Sequence, residues 1–343
     1  EPDMSTPGFL AERVQEAVAG QLEIHWPYKR FATGRGLRHL PCHDIWNAAG
    51  AVFASPAGWE RPMWFAPGAQ DVSSAYSYGE QAWWPHAMRE CLAARDAAVL
   101  IDLSPFSKFE ISGKAALPGL QHLCSADVAV APGKCVYTQV LNHNGGIEAD
   151  GTITRLDEDR FRFTGAAPSR RRDLAWMSKH LSDAALKDVT RDEAVLALMG
   201  PAAGDIWLSA GGDPAALAQP FATTASYTIA GIELRATRIS FIGEFGWELY
   251  MPWDDAPAVA RHLLTAGAAP MGLQAVDCCR MEKAFRHWGH DIGPDDTPLE
   301  AGLGFSVSWT KRHDFIGKAA LQEQRKAGID RRLAQFAVID AHP

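Results

Sequence analysis

The chain has 343 residues, 47% of them apolar, with 30 glycines and 21 prolines, the composition of a globular protein with room for two domains or one large one. A net charge of -8 at a pI near 5.8 excludes a broad polyanion-binding surface, which rests on clustered surplus lysine and arginine. The six cysteines form no C-x-x-C pair, and neither a basic-then-apolar leader nor an apolar stretch of ~20 residues occurs, so reduced thiols and a soluble, cytoplasmic chain are expected.

Thr6-Pro7 followed by GFLAERVQEAVAG predicts a helix with proline at its first position and Phe9, Leu10, Val14 and Val18 on one face. From Leu22 to about Tyr78 prolines, glycines and aromatics follow no period of 3.6 or 2, which predicts a loop-rich segment wrapped over a larger body. Trp26, Trp46, Trp59 and Trp64 of that segment must bury their rings, and part of the surface they cover is expected to lie outside this chain. From about His86 a mixed pattern begins: a helix through MRECLAARDAAV, a strand at SKFEISG and a helix from Ala115 to Cys124. CVYTQVLNHNGGIEADGTITRLDEDRFRFTG then alternates like strands, with reversals at Asn144-Gly145 and at Asp157-Glu158-Asp159. A helix (SRRRDLAWMSKHL), a strand (AVLALMG), a hairpin (ELRATRISFIGEFGWELYMP) and two helices (DAPAVARHLLTAG, LQAVDCCRMEKAF) follow, then a helical LQEQRKAG and a strand-like RRLAQFAVID. Strands paired mainly with their neighbours, with helices interspersed, indicate an α+β fold of antiparallel sheets and packed helices.

The polar residues that stand out are carboxylates at chain reversals: Asp127 after a helix, Glu244 and Glu248 at a hairpin, and Asp277 and Glu282 with Arg280 on a helix. Such carboxylates can orient a cation, take a proton, or accept two hydrogen bonds from an amino-amide edge. Spacing alone also leaves each as an ordinary solvated charge. His287 and His290 around Trp288, with Asp291, do not by themselves assemble a closed metal-ligand set, so no metal is expected. Cys278-Cys279 in a helix reads as packing rather than redox chemistry.

YTQVLNHNGGIEADGTI resembles the Y-x-x-x-L-N-x-x-G-G-x-x-x-D stretch of the glycine cleavage T-protein family, ALMGPAA its Q-G-P strand, and FIGEFGWEL its Y-T-G-E-x-G-F-E hairpin. GWERPMWF, IDLSPFSKFEISG, EKAFRHWGHDIGPDDTPLEAGLGF and DFIGKAAL are similar to the carboxy-terminal half of sarcosine and dimethylglycine dehydrogenases. The resemblance implies a T-protein-like folate-binding fold in which the one-carbon unit from an oxidised N-methyl amine passes to tetrahydrofolate, giving 5,10-methylenetetrahydrofolate. It implies Asp127 as the catalytic carboxylate beside the folate's reactive nitrogen, and Glu244, Asn142, Arg280 and Tyr137 as cofactor-binding. Phe241, Ile242 and Trp247 stand where the family hairpin has Tyr, Thr and Phe, so the pocket wall departs from the pattern while the glutamate stays.

A Rossmann FAD site needs a G-x-G-x-x-G turn, and Gly34-Arg35-Gly36 fails that spacing. The resemblance therefore divides the chain into residues 1–86 following a missing FAD domain, 87–310 as the folate-binding domain, and 311–343 as the start of a truncated final barrel. The partners implied are a folate, the one-carbon unit of a methylated amine and a flavin dehydrogenase domain, with neither nucleic acid nor membrane. A non-catalytic folate-binding or regulatory module and a free-standing aminomethyltransferase are the alternatives. Arg170-Arg171-Arg172 reads as a solvated helix face, or as an attractor for the folate's glutamate tail.

Overall fold

The computed structural model describes residues 6–23, 31–68 and 78–338. Two antiparallel sheets carry the fold. The larger has six strands in the order Thr224–Ile229, Ile232–Thr237, Gly246–Pro252, Glu193–Met199, Val99–Asp102 and Ala269–Pro270, antiparallel except for the last pair. Glu193–Met199 lies inside this sheet and is covered on both faces, which is why its sequence reads as one apolar run rather than an alternation. Ala194, Leu196 and Leu198 pack towards the helices Ala203–Ser209 and Ala256–Thr265, through Ile206, Trp207, Val259 and Leu263. Val195, Ala197 and Met199 point the other way, to Cys91, Ala94, Ala275 and Cys279 on the helices Trp84–Asp96 and Leu273–Glu282.

The second sheet runs Cys135–Leu141, Ile147–Asp157, Arg160–Gly165, Ser107–Ser112, Ala185–Asp188. Its odd-numbered positions in the inner strands (Phe109, Ile111, Ile153, Phe161, Phe163) form a core with Leu120, Leu123 and Met177 of the helices Ala116–Leu123 and Arg170–His180. The opposite face carries Tyr137, Gln139, Asp150, Thr152, Arg162 and Thr164, of which Gln139, Arg162 and Thr164 are buried and the others half-buried. Arg162 on this face pairs with Glu110 at 3.1 Å and closely with Glu193 of the six-stranded sheet, tying the two sheets together.

The meander expected around Asn144-Gly145 is present. Asn142 Oδ1 accepts the N–H groups of Asn144 (3.0 Å) and Gly146 (2.9 Å), and Gly145 takes φ +85°. At Gly146 a Cβ would stand 1.8 Å from the carbonyl oxygen of Pro294, so only glycine lets the hairpin meet that loop.

Three sequence expectations need correction. The loop-rich segment holds a short helix, His43–Ala48, and a two-stranded sheet, Ala51–Ala54 with Arg61–Phe65, whose five-residue second strand is buried throughout. Trp46, Trp59 and Trp64 are buried against the chain itself: Trp46 Nε1 donates to Asp102 Oδ2 at 2.9 Å, and Trp59 lies 5.7 Å from Trp253. Trp26 falls outside the described residues. RRLAQFAVID is not a strand over its described part, and Leu333, Phe336 and Val338 are exposed; among the described residues no strand pairs with it. The residues just after position 310 pack on the body: Lys311 Nζ donates to the carbonyls of Gln121 (2.7 Å) and Ala126 (3.0 Å), and Leu321 of the helix Lys318–Ala327 joins Leu141 in a core. Among the described residues no helix is long and apolar enough to cross a membrane.

Candidate functional site

The buried polar face of the five-stranded sheet fronts a cavity of about 630 Å³, within the range of small-molecule sites. Tyr137, Asp150, Gly151, Thr152, Thr164 and Gly165 form one wall. Glu248 of the six-stranded sheet, with Phe241, Phe285, His287 and Trp288 from the following turns, forms the facing wall. Gly151 pairs with Gly165 across the strands, and a Cβ at Gly151 would meet Thr164 O at 2.3 Å and the Phe163 ring at 2.9 Å, so glycine there makes room for the core behind the wall.

Asp150 is half-buried. Tyr137 Oη donates a short hydrogen bond to its Oδ2, and Gln139 Nε2 donates at 3.4 Å while its Oε1 accepts from Ser306 Oγ at 2.5 Å. Burial pushes the Asp150 carboxyl up to about 6, against the pull of these two donors. Burial likewise raises Tyr137, helped by the neighbouring carboxylate, so its hydroxyl stays a donor. Glu248 alternates away from Trp247, which packs 5.3 Å from Trp207 in the core. Its Oε2 accepts from Tyr250 Oη at 2.6 Å, and burial raises its carboxyl, partly offset by Tyr250 and Lys108. His287 is held neutral, its pKa lowered to about 4 first by burial and then by His290 and Arg280. Its ring lies 4.3 Å from that of His290. Among the described residues no group of three or more His, Cys, Asp or Glu could hold a metal ion.

Of the five residues that the resemblance assigned to the site, Tyr137 lines this cavity and the other four do not, whereas Glu248 and Asp277, which stood out as carboxylates at reversals, do line it. Asp127 is exposed on the turn after the helix Ala116–Leu123, accepting from Gln121 Nε2 (2.5 Å) and Ala129 N (2.9 Å); these bonds, the Ala129 N–H foremost, hold its carboxyl below the usual range. Asn142 spends its side chain on the hairpin and on Glu148 and the Pro294 carbonyl, both at 3.1 Å. Glu244 sits 3.6 Å from Nζ of Lys283, a residue that itself lines the cavity. Arg280 is buried and braces the wall from outside: it bonds Asp277 (Nε to Oδ1, 2.7 Å), the Phe285 carbonyl (3.0 Å) and Asp291, while Asp291 Oδ2 accepts from His287 N at 2.9 Å. Arg170 is paired with Asp188 at 2.7 Å, and Arg172 with Glu148.

Asp150 was reachable from sequence by counting alternation, and Glu248 stood out there already as a hairpin carboxylate. Asp150 stands opposite Gln139 in the register and shares the face of Tyr137, and Glu248 opposes the face of Trp247.

The family described as GCVT N-terminal domain matches residues 42–311. The chain belongs to this GCVT family. Its fold resembles the crystal structure of glycine cleavage system aminomethyltransferase T from Bartonella henselae, with a TM-score of 0.74 at 27% identity over 85% of this chain and 76% of that one. It is 37% identical to a 4-methylaminobutanoate oxidase (formaldehyde-forming) of Paenarthrobacter nicotinovorans and 34% identical to human mitochondrial sarcosine dehydrogenase, each across 98% of this chain. The chain spans 42% of the length of each of these two relatives.

Proposed function

We propose that this GCVT chain binds a reduced folate in the inter-sheet cavity and transfers to it the one-carbon unit of an oxidised N-methyl amine, as the folate-dependent part of a sarcosine dehydrogenase-like demethylase. The observation that carries the reading is the pair of carboxylates, half-buried Asp150 and buried Glu248, lining one aromatic-lined cavity in a chain with an aminomethyltransferase fold. When bound, tetrahydrofolate supplies the nitrogen nucleophiles that accept the carbon.

The residues present fit such a guest. Glu248 receives one protein hydrogen bond and keeps acceptor capacity for the adjacent N–H donors of a pterin edge. Asp150, fixed by Tyr137 and Gln139, stands ready to hold a proton or stabilise a developing cation, and with a pKa near 6 it can do either close to neutral pH. The geometry favours Asp150 over the exposed Asp127 for this role, and Glu248 over Glu244 for the pterin. Phe241, Phe285 and Trp288 exclude water and supply ring faces, and Tyr137 stacks at 6.3 Å on Phe305. Arg280 and Asn142 act as positioning residues for the wall. FAD is assigned to no residue of this chain, and amine oxidation belongs to a flavin-bearing partner or domain.

Anaerobic calorimetric titration with tetrahydrofolate tests the binding half of the proposal. Saturable heat lost in Glu248→Gln and kept in Glu244→Gln supports it, and no heat from the folded chain defeats it. Tight binding without methylenetetrahydrofolate formation, even with an active flavin partner supplied, would make the chain a folate-binding module. Ammonia release from an aminomethylated carrier protein would instead make it a free-standing aminomethyltransferase.

A further inference from the structure

Arg61 begins the strand Arg61–Phe65, and only 8% of it is exposed. Its chain neighbour Glu60 turns the other way and is fully engaged, accepting from Arg35 Nε (2.8 Å), Arg35 Nη2 (2.6 Å) and Gly36 N (2.8 Å). Strand alternation sends Arg61 to the opposite face, where it lines the cavity beside Pro56, Ala57, Met63 and Leu103. Its Nε is shut from solvent without an acceptor, and among the described residues the guanidinium has neither a hydrogen bond nor an ion pair.

The other cations at this cavity are satisfied. Arg286 donates to the carbonyls of Ala301 (2.8 Å) and Ala284, and Lys283 faces Glu244. Asp102 favours the charged form of Arg61 from a distance, but its oxygens are taken by Trp46 Nε1 and Ser104 N. Arginine stays protonated in such a place, and an enclosed guanidinium without an acceptor is costly to keep. The cost is recovered when a planar anion enters, because the guanidinium fork matches a carboxylate bidentately.

We propose that Arg61 is a carboxylate-binding subsite of the cavity. Two ligands carry the required group: the glutamate tail of a reduced folate, and the α-carboxylate of the amino acid whose one-carbon unit is transferred. The proposal rests on the folate reading for the first of these and is independent of it for the second.

The test compares the full chain with Arg61→Met, which keeps side-chain length and removes the charge. Folding is checked by circular dichroism and thermal melting, and Arg61→Lys is the back-up variant. Binding of tetrahydrofolate, of tetrahydropteroate lacking the glutamate, and of glycine and N-methylglycine is measured by anaerobic calorimetry. A loss of about 10- to 100-fold is expected, the size of a charge-assisted bond removed. A loss for tetrahydrofolate but not tetrahydropteroate assigns the subsite to the folate tail. A loss for the amino acids with tetrahydrofolate unchanged assigns it to the donor. If the parent binds no folate yet binds the amino acids through Arg61, the subsite stands and the folate reading falls. Equal binding of every ligand by the parent and a folded Arg61→Met, or binding of none by the parent, overturns the proposal.

Discussion

Replacing Asp150 by Asn should stabilise the ligand-free chain at pH 7.5 while disabling it. In the fold the carboxyl titrates at about 6 rather than at its ordinary 3.8, so holding it ionised above pH 6 costs the folded state about 3 kcal/mol, at 1.36 kcal/mol per tenfold. The sign follows from proton counting: between about pH 4 and 6 the folded state binds more protons than the unfolded one, so this contribution to stability falls as pH rises through that window. The introduced amide would remain an acceptor for Tyr137 Oη, but its new N–H donors need partners, so a net gain of about 1–2 kcal/mol at pH 7.5 is expected. At pH 4.5 the gain should shrink to near zero. Urea titrations of both chains at the two pH values, with tryptophan fluorescence as the probe, measure it. A variant less stable than the parent at pH 7.5 by as much as at pH 4.5 would show that the Asp150 charge carries no cost, leaving no stability penalty for function to explain.

The remaining predictions concern the site and its supports. Asp150→Asn should lower transfer to tetrahydrofolate by about 100-fold or more, with Asp127→Asn within about fivefold of the parent; the reverse order, read from single-turnover product formation, would make Asp127 the transfer carboxylate. If the ionised form acts as a base, the transfer rate should rise with pH through an apparent pKa near 6 and level off above it, a profile absent from Asp150→Asn. Glu248→Gln should weaken tetrahydrofolate about 10- to 100-fold by calorimetry, and an unchanged Kd would remove it from the pterin site. Gly146→Ala should cost about 3 kcal/mol in urea unfolding, since its methyl group falls 1.8 Å from Pro294 O; a cost under about 1 kcal/mol would mean the loop yields freely.

Local chemistry made much of the fold readable. Asn-Gly and Asp-Glu-Asp reversals fix the meander, and the hairpin ending in WELYM pairs as its alternation requires, Ala236 with Leu249 and Thr237 with Glu248. Where the sequence misled, the missing information was non-local. RPMWF shows no alternation because both its faces are covered, and the helix His43–Ala48 is too short to display a period. RRLAQFAVID is rich in residues that favour strands, but such content does not report the presence of a neighbour. Motif resemblance led to Asp127 and Glu244, both at reversals, whereas enclosure depends on which residues two sheets turn towards each other. Tyr137 lies in the strand motif that carries that face.

The small sheet formed by Ala51–Ala54 and Arg61–Phe65 contributes one corner of the cavity, while the other walls come from the two large sheets and the turns between them. That division separates two kinds of evolutionary freedom. Residues such as Asp150, Glu248 and their partners are locked into ladders shared with the core, so change there is constrained by folding. The corner near Pro56, Ala57 and Arg61 hangs on a hairpin with its own register, and exchanging a side chain there reshapes what the chamber accepts without disturbing how it is built.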